Sequence, residues 1–304
     1  MHIIRTPMLY IVTFLIILGG CSKGPKSDGI TIVTTTGIVG DCIRNIVPKE
    51  VTVLPLMGAG VDPHLYKASQ GDIAKLAGAD IIVYNGLHLE GKMAKMLENY
   101  AKQKKVFSLG SYIDKTKLKR VDETSDLVDP HIWFNPEIWL EGLQGVAAEL
   151  SKIKGLDSTA IRCEKYTNDI KANVKVLSIN LDTSLSHEKR ILITSHDAFE
   201  YFGDAFSFEV RGLQGISTAA EYGAKDVKDL IDFIIDRKVK AVFVETSVSD
   251  KNLRAVIEGA NARDYKLEIG GTLYSDALGQ DGTPEGTYMG MLEANIYTVI
   301  EGLK

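Results

Sequence analysis

The sequence predicts an α/β protein with two lobes, each containing a parallel β-sheet, joined by one long rigid helix. In both halves of the chain, short runs of β-branched residues alternate with helical patterns, which is typical of βαβ units. The length of 304 residues exceeds what one hydrophobic core comfortably serves, so two domains are expected. Between the halves, residues 158–186 contain neither proline nor glycine, and such a segment can form a helix that crosses a small domain.

The first half of the chain predicts four strands separated by helices. The strands are expected at residues 30–36, 51–56, 80–84 and 105–109. The helices are expected at residues 37–46, 69–77, 89–101 and 137–152. Ser69 is a typical helix N-cap, and Asp72 in the first turn suits the positive end of the helix dipole. The polar segment 110–129 carries no histidine and leads to His131.

The second half repeats the alternation after the long helix. Within residues 158–186, apolar side chains from Ile161 to Leu181 recur at a roughly helical spacing, which predicts a stiff connector. Strands are then expected at residues 190–194, 208–213, 240–245 and 265–273, and helices at 224–237, 250–263 and 286–303. The two halves therefore share a similar order of elements.

The overall composition is that of an ordinary globular protein. Hydrophobic residues make up 45% of the chain and charged residues 25%. The formal net charge of -5 gives no basic field for a phosphate backbone, so no nucleic-acid partner is expected.

The N-terminal residues predict an exported lipoprotein. Arg5 is the first charged side chain and the next is Lys23, while the apolar run 8–18 is too short to span a membrane but suits a secretory signal. The run leads to Cys21 in a sequence that resembles the lipobox of bacterial lipoproteins. We therefore expect residues 1–20 to be a signal peptide, Cys21 to be lipidated and residues 21–29 to form a polar tether. An uncleaved N-terminal anchor is the alternative.

Two cysteines remain if Cys21 carries a lipid. An exported chain permits a disulfide between Cys42 and Cys163, but their distance in sequence says nothing about proximity in space. Two buried free thiols are the favoured interpretation.

Three histidines and one aspartate follow strand-like runs or lie in proline-bounded loops, where an α/β scaffold presents functional side chains. They are His64, His131, His196 and Asp276. Imidazole nitrogens with a carboxylate oxygen suit divalent first-row metals, whereas Ca(II) and Mg(II) prefer oxygen alone. Four protein ligands would enclose an ion, whereas catalytic zinc usually has three and keeps a position for water. We expect the four side chains to converge on one metal ion.

Five segments resemble the metal-binding receptors of bacterial ABC importers, in the TroA-like branch of that family (cluster A-I, or cluster 9). These segments are residues 60–66 (GVDPHLY), 84–90 (YNGLHLE), 129–134 (DPHIWF), 194–199 (TSHDAF) and 270–277 (GGTLYSDA). The resemblance runs from about residue 30 to the C-terminus. It implies two α/β lobes joined by a rigid linker helix, with the ion held between the lobes and no enzymatic activity.

Carried over by residue, the resemblance assigns His64 and His131 of the first lobe and His196 and Asp276 of the second as ligands of one Zn(II) or Mn(II). Relatives dedicated to manganese commonly have glutamate where this chain has His196. Many zinc-dedicated relatives have a histidine-rich loop that is absent between His64 and His131. Both metals therefore remain open.

The resemblance also implies the surroundings of the protein. It predicts a monomer held by lipid on the outer side of a bacterial membrane, either periplasmic or at the cell surface, which hands its metal to a permease and its ATPase. The expected division is a first lobe at residues 30–155, a linker at 156–188 and a second lobe at 189–304. A zinc hydrolase and a two-lobed receptor for a siderophore, haem or cobalamin are the alternatives, and an adhesin role can coexist with metal capture.

Other histidines and aromatic residues are expected to be structural. His88 lies in the turn of residues 84–90, and His187 lies at the end of the connector, where a cation suits a helix C-terminus. Glu245 ends a strand and either orients a ligand imidazole or forms a helix cap or salt bridge. Trp133 and Phe134 are expected to pack near the site.

Overall fold

The structure is a computed structural model that describes residues 29–121, 126–220 and 222–304. The predicted signal peptide, Cys21 and most of the predicted tether lie outside these residues. In the part of the chain that is described, no helix combines the length and the apolar character needed to cross a membrane.

The first lobe is built on a parallel sheet. Its strands are β1 (Thr31–Thr34), β2 (Thr52–Pro55), β3 (Ile81–Tyr84) and β4 (Lys105–Ser108), in the spatial order β2-β1-β3-β4. Its helices are α1 (Gly37–Ile46), α2 (Gln70–Gly78), α3 (Ala94–Ala101) and α4 (Pro136–Leu150). α1, α2 and α4 begin within one residue of their predicted starts, whereas α3 begins at Ala94, after a 3-10 turn (Gly91–Met93), instead of at residue 89. Ser69 and Asp72 form the capping box at the start of α2.

One uninterrupted helix, α5 (Thr159–Ser184), follows the first lobe. It packs against α1 and α4 on one side and continues to the second lobe. Its length of 26 residues corresponds to about 39 Å at 1.5 Å per residue, so it spans the molecule. The predicted connector is therefore a single helix.

The second lobe repeats the parallel arrangement. Its strands are β5 (Ile191–His196), β6 (Glu209–Gln214), β7 (Ala241–Glu245) and β8 (Glu268–Leu273), in the spatial order β6-β5-β7-β8. Its helices are α6 (Glu200–Phe206), α7 (Ala224–Asp236), α8 (Lys251–Asn261) and α9 (Tyr288–Leu303). No helix was expected at the position of α6. The strand predicted at residues 190–194 extends to His196, which is the last residue of β5.

The two lobes share one apolar core. Along the central strands, alternate side chains point to opposite faces. Val33 of β1 and Val242 of β7 each belong to a cluster within their own lobe. Their neighbours Ile32 and Phe243 belong instead to a single cluster that also includes Leu177 of α5. Each sheet therefore packs one face against its own lobe and the other against the common core.

Polar contacts reinforce this junction. The backbone N–H of Tyr288, at the start of α9, donates to Asp41 of α1 (2.9 Å), and the Tyr288 hydroxyl donates to the carbonyl of Trp133 (2.9 Å). Phe134 of the first lobe stacks on Phe199 of the second, with ring centroids 4.4 Å apart. The lobes are thus fastened firmly along one side.

The architecture confirms the predicted fold class, two α/β lobes with parallel sheets joined by a long helix. Cys42 and Cys163 are both buried and both carry free thiols, in agreement with the favoured interpretation. The domain boundaries 30–155, 156–188 and 189–304 stay a prediction.

Candidate metal centre

Both lobes contribute side chains to one buried cluster at the carboxyl ends of their strands. His64 lies in the loop after β2, where Gly60 adopts a φ of 70° that favours glycine. His131 follows Pro130 and precedes a short 3-10 turn (Ile132–Phe134). His196 ends β5, and Asp276 comes three residues after β8. The structure brings all four predicted ligands together.

Four separations between ligand atoms are close to the edge length of a tetrahedron around one ion. Nε2 of His64 lies 3.2 Å from Nε2 of His131 and 3.7 Å from Oδ2 of Asp276. Asp276 Oδ1 is 3.4 Å from Nε2 of His131, and its Oδ2 is 3.4 Å from Nε2 of His196. Zn–N bonds of about 2.0–2.1 Å in tetrahedral geometry imply ligand–ligand separations of about 3.3 Å. The cluster can hold one divalent ion between the lobes.

The polar atoms of this cluster are poorly satisfied by the protein itself. Among the described residues, His196 Nε2 and both carboxylate oxygens of Asp276 are buried without a hydrogen-bond partner. Leaving such groups unpaired in the interior is costly, and buried charges are either paired with opposite charges or bound to a metal ion. Three nitrogens and one carboxylate are also the donor set that zinc and manganese accept. The residues therefore fit a metal.

Two carboxylates outside the cluster fix the orientation of two imidazoles. Asp129 Oδ1 lies 2.7 Å from Nδ1 of His131, and Glu245 Oε2 lies 2.5 Å from Nδ1 of His196. A proton on each Nδ1 leaves the respective Nε2 free to bind the ion. Of the alternatives open for Glu245, its contact with His196 fits both the orienting acceptor and the salt bridge. The role of Asp129 was not predicted from the sequence, although the Asp-Pro-His order of residues 129–131 offered a signal.

The charges around the imidazoles shift their pKa values in opposite directions. Burial disfavours the imidazolium of His131, but the charges of Asp129 and Asp276 outweigh this and raise its pKa to about 9. Burial likewise opposes the charge on His196, yet Glu245 and Asp276 raise its pKa well above the ordinary value. Burial lowers the pKa of His64 to about 3. In the metal-free protein at neutral pH, His131 and His196 are therefore positively charged imidazoliums, whereas His64 is a neutral imidazole.

The acidic ligand stays ionised. Burial alone would raise the pKa of Asp276, but the imidazoles of His196 and His131 hold it well below its usual range. The two imidazoliums lie against three carboxylates, those of Asp276, Asp129 and Glu245, and this pairing of opposite charges lets the polar cluster remain buried before metal binds.

The other singled-out side chains lie around the cluster rather than in it. Trp133 packs its ring edge-on to His131 (centroids 5.3 Å apart) and donates from Nε1 to the Ser275 carbonyl (3.0 Å). His88 is exposed, with a φ of 65°, and His187 is exposed at the turn after α5. Trp133 therefore packs near the site, as predicted, and also joins the two lobes there.

Comparison with known proteins places the chain among bacterial metal receptors. It is 43% identical to the manganese-binding lipoprotein MntA of Bacillus subtilis over 294 residues, covering 94% of this chain and 95% of that protein. It is 40% identical to the zinc-binding protein TroA of Treponema pallidum over 290 residues, covering 93% and 92%.

A solved structure of the periplasmic zinc-binding protein TroA from Treponema pallidum superposes with a TM-score of 0.84 at 39% identity, covering 90% of this chain and 99% of that one. The sequence profile of the zinc-uptake complex component A family, periplasmic (ZnuA), matches residues 32–302. The description of this family names a component of a zinc-uptake complex, and uptake is transport and not catalysis. The chain belongs to the family of zinc-uptake complex component A proteins.

Proposed function

We propose that this protein captures one Zn(II) or Mn(II) ion outside the cytoplasmic membrane and delivers it to the permease and ATPase of an ABC importer. One observation carries the proposal. Four side chains from two lobes, His64, His131, His196 and Asp276, place their donor atoms within 4.8 Å of one another in a buried cluster. A site split between lobes can release its ion when the lobes move apart, which suits a carrier.

The enclosure of the site favours capture over catalysis. A zinc hydrolase keeps a coordination position for the attacking water, whereas here four protein ligands surround the ion. Asp276 and His196 are at most 1% exposed, so neither a substrate nor bulk water reaches them in this conformation. A large chelate such as haem would need an open cleft instead of this closed cluster.

The donor set bears on which metal is carried. For a site of three nitrogens and one carboxylate, the general order of metal affinities places Zn(II) above Mn(II). The second carboxylate oxygen of Asp276 also faces the cluster, because Oδ1 lies near His131 and Oδ2 near His196. Two-oxygen binding by Asp276 would raise the coordination number and suit Mn(II) as well. We therefore propose that both ions bind, with Zn(II) the tighter.

Metal analysis of the protein tests this function directly. Protein lacking residues 1–20 should be stripped with a chelator and titrated separately with Zn(II) and Mn(II) while heat of binding is measured. We expect one ion per chain for each metal, and Zn(II) should displace Mn(II) in competition. A chain that binds neither ion, or that binds several ions equally weakly, would contradict the proposal.

We further propose that the chain has a lipid on Cys21 and a first lobe at residues 30–155, a linker at 156–188 and a second lobe at 189–304. Relatives such as MntA of Bacillus subtilis are named lipoproteins, which supports the anchor. Replacing Cys21 by alanine should release the protein from bacterial membranes, while the unfolding temperature of the two lobes stays unchanged. Persistence of the variant in membranes after washing in high salt would exclude the lipid anchor.

A further inference from the structure

One ligand of the metal cluster is held differently from the other two imidazoles. Among the described residues, no carboxylate is bonded to Nδ1 of His64, whereas His131 has Asp129 and His196 has Glu245. His64 is also 6% exposed, while the other two histidines are completely buried. His64 is therefore the ligand whose ring is least constrained and nearest to solvent.

The position of His64 depends on its backbone, and Asp62 holds that backbone. Asp62 Oδ1 accepts a hydrogen bond from the backbone N–H of His64 at 2.8 Å. Its other oxygen, Oδ2, accepts from the hydroxyl of Thr218 at 2.6 Å. Because Asp62 belongs to the first lobe and Thr218 to the second, this carboxylate links a metal ligand to the opposite lobe.

The segment that carries Thr218 is fixed to the strand beside another ligand. Gln214, the last residue of β6, pairs in register with His196 of β5. The side-chain amide of Gln214 donates to the carbonyls of Thr218 (2.5 Å) and Ala220 (2.8 Å). These two hydrogen bonds hold residues 215–220 in a turn beside Gln214. We call residues 215–220 the latch loop. Its conformation is tied to the strand that ends in His196.

A cavity of about 280 Å³ lies between the latch loop and the first lobe. Its wall includes His64 together with apolar side chains of both lobes, namely Leu87, Val128, Pro130, Ile216 and Ala220. On another side of the cluster, the Trp133–Ser275 hydrogen bond and the Phe134–Phe199 stack close the gap between the lobes. Of the four residues of the cluster, only His64 lines this cavity, so the side of the cluster nearest to solvent is the side of His64, beneath the latch loop.

We infer that the hydrogen bond from Thr218 to Asp62 is a latch that holds His64 against the ion and sets the rate at which the ion leaves. Asp62 and Thr218 act as positioning residues, since they act through His64 and do not bind the ion. For the ion to leave, the latch loop must move away and His64 must swing towards the cavity. The inference rests on the proposed metal-capture function and adds the element that controls release.

Replacing Thr218 by valine tests the latch, because valine keeps the shape and removes the hydroxyl donor. We expect the variant to release Zn(II) about tenfold faster than the unmodified protein, as suits the loss of one hydrogen bond to a charged group. The release rate should be measured by mixing the metal-loaded protein rapidly with excess chelator. Replacing Thr218 by serine, which keeps the hydroxyl, should restore slow release.

A matched control separates the latch from general effects of losing a threonine. Within the described part of the chain, the Thr183 hydroxyl donates only to carbonyls of its own helix, so Thr183→Val should release metal at the unmodified rate. All variants should unfold at the same temperature in the metal-free state, which shows that folding is intact. Equal release from Thr218→Val and the unmodified protein, or equally fast release from Thr218→Ser and Thr218→Val, would overturn the latch. Failure of the unmodified protein to bind metal would instead reject the proposed function.

Discussion

Replacing Asp276 by asparagine is expected to weaken metal binding at least about a hundredfold. Structural zinc sites bind with about 10–16 kcal/mol at neutral pH, so losing one of four ligands removes several kcal/mol. Asp276 is also the only anionic ligand in the cluster and lies within 3.7 Å of Nε2 of all three histidines. Asparagine keeps the shape but removes the charge that attracts the cation. Competition with a chelator of known affinity measures the loss.

A matched variant separates the ligand effect from the change in net charge. Asp281→Asn changes the charge of the chain by the same amount, but Asp281 is exposed and lies outside the cluster. We expect this variant to bind metal as the unmodified protein does. If Asp276→Asn also retained full affinity, Asp276 would not be a ligand, and the four-ligand site would be wrong.

Metal affinity is expected to keep rising steeply with pH up to about 9, whereas with histidines of ordinary pKa near about 6.5 the rise would end above about pH 7. His131, with its pKa raised to about 9, and His196, whose pKa is also raised, hold protons in the metal-free protein at neutral pH. The ion must displace both protons. Affinity should therefore increase by between about one and about two orders of magnitude per pH unit, and the gain should end above the raised pKa values.

Calorimetry in two buffers of different ionisation enthalpy measures the protons that are released. At pH 7 we expect more than one proton per ion. In Asp129→Asn, the charge that raises the pKa of His131 is gone, so fewer protons should be released at the same pH. Affinity at high pH should still fall by about 10- to 100-fold, because the ring loses the partner that orients it. Binding without any proton release would show that both imidazoles are neutral before the ion arrives.

Most of the strands and helices could be predicted because local sequence determines them. The runs of β-branched residues that form β1 and β5 allow few other structures, and Ser69 with Asp72 defines a helix start without help from the rest of the chain. The same holds for α5, where the absence of proline and glycine over a long segment favours a single helix. These signals are short-range, so one sequence is enough to detect them.

The helix α6 escaped prediction because tertiary packing stabilises it. It is only seven residues long and contains Gly203, which isolated helices disfavour. Its aromatic residues Tyr201, Phe202 and Phe206 are at most 3% exposed, and Phe202 packs against Phe206 and Phe208. This helix forms because the second lobe and the 3-10 turn after His131 bury its aromatic face.

In the metal cluster, too, local sequence does not determine which contacts a residue makes. The order Asp-Pro-His occurs twice, at residues 62–64 and 129–131, and both aspartates accept from the backbone N–H of their histidine. Only Asp129 also bonds the imidazole of its histidine, whereas Asp62 reaches Thr218 of the other lobe. Identical local sequences thus acquire different roles from what the fold places beside them.

The apolar core shared by the two lobes makes the molecule one folding unit despite its bilobed shape. Separating the lobes would expose to water the sheet faces that carry Ile32 and Phe243, so we expect the two halves to unfold together. An ion bound between them then stabilises the folded state of both lobes, and this stabilisation grows with the free metal concentration relative to the dissociation constant. Resistance to proteases throughout the chain, including at sites remote from the ion, should therefore follow metal supply, and cells short of metal would degrade the receptor faster.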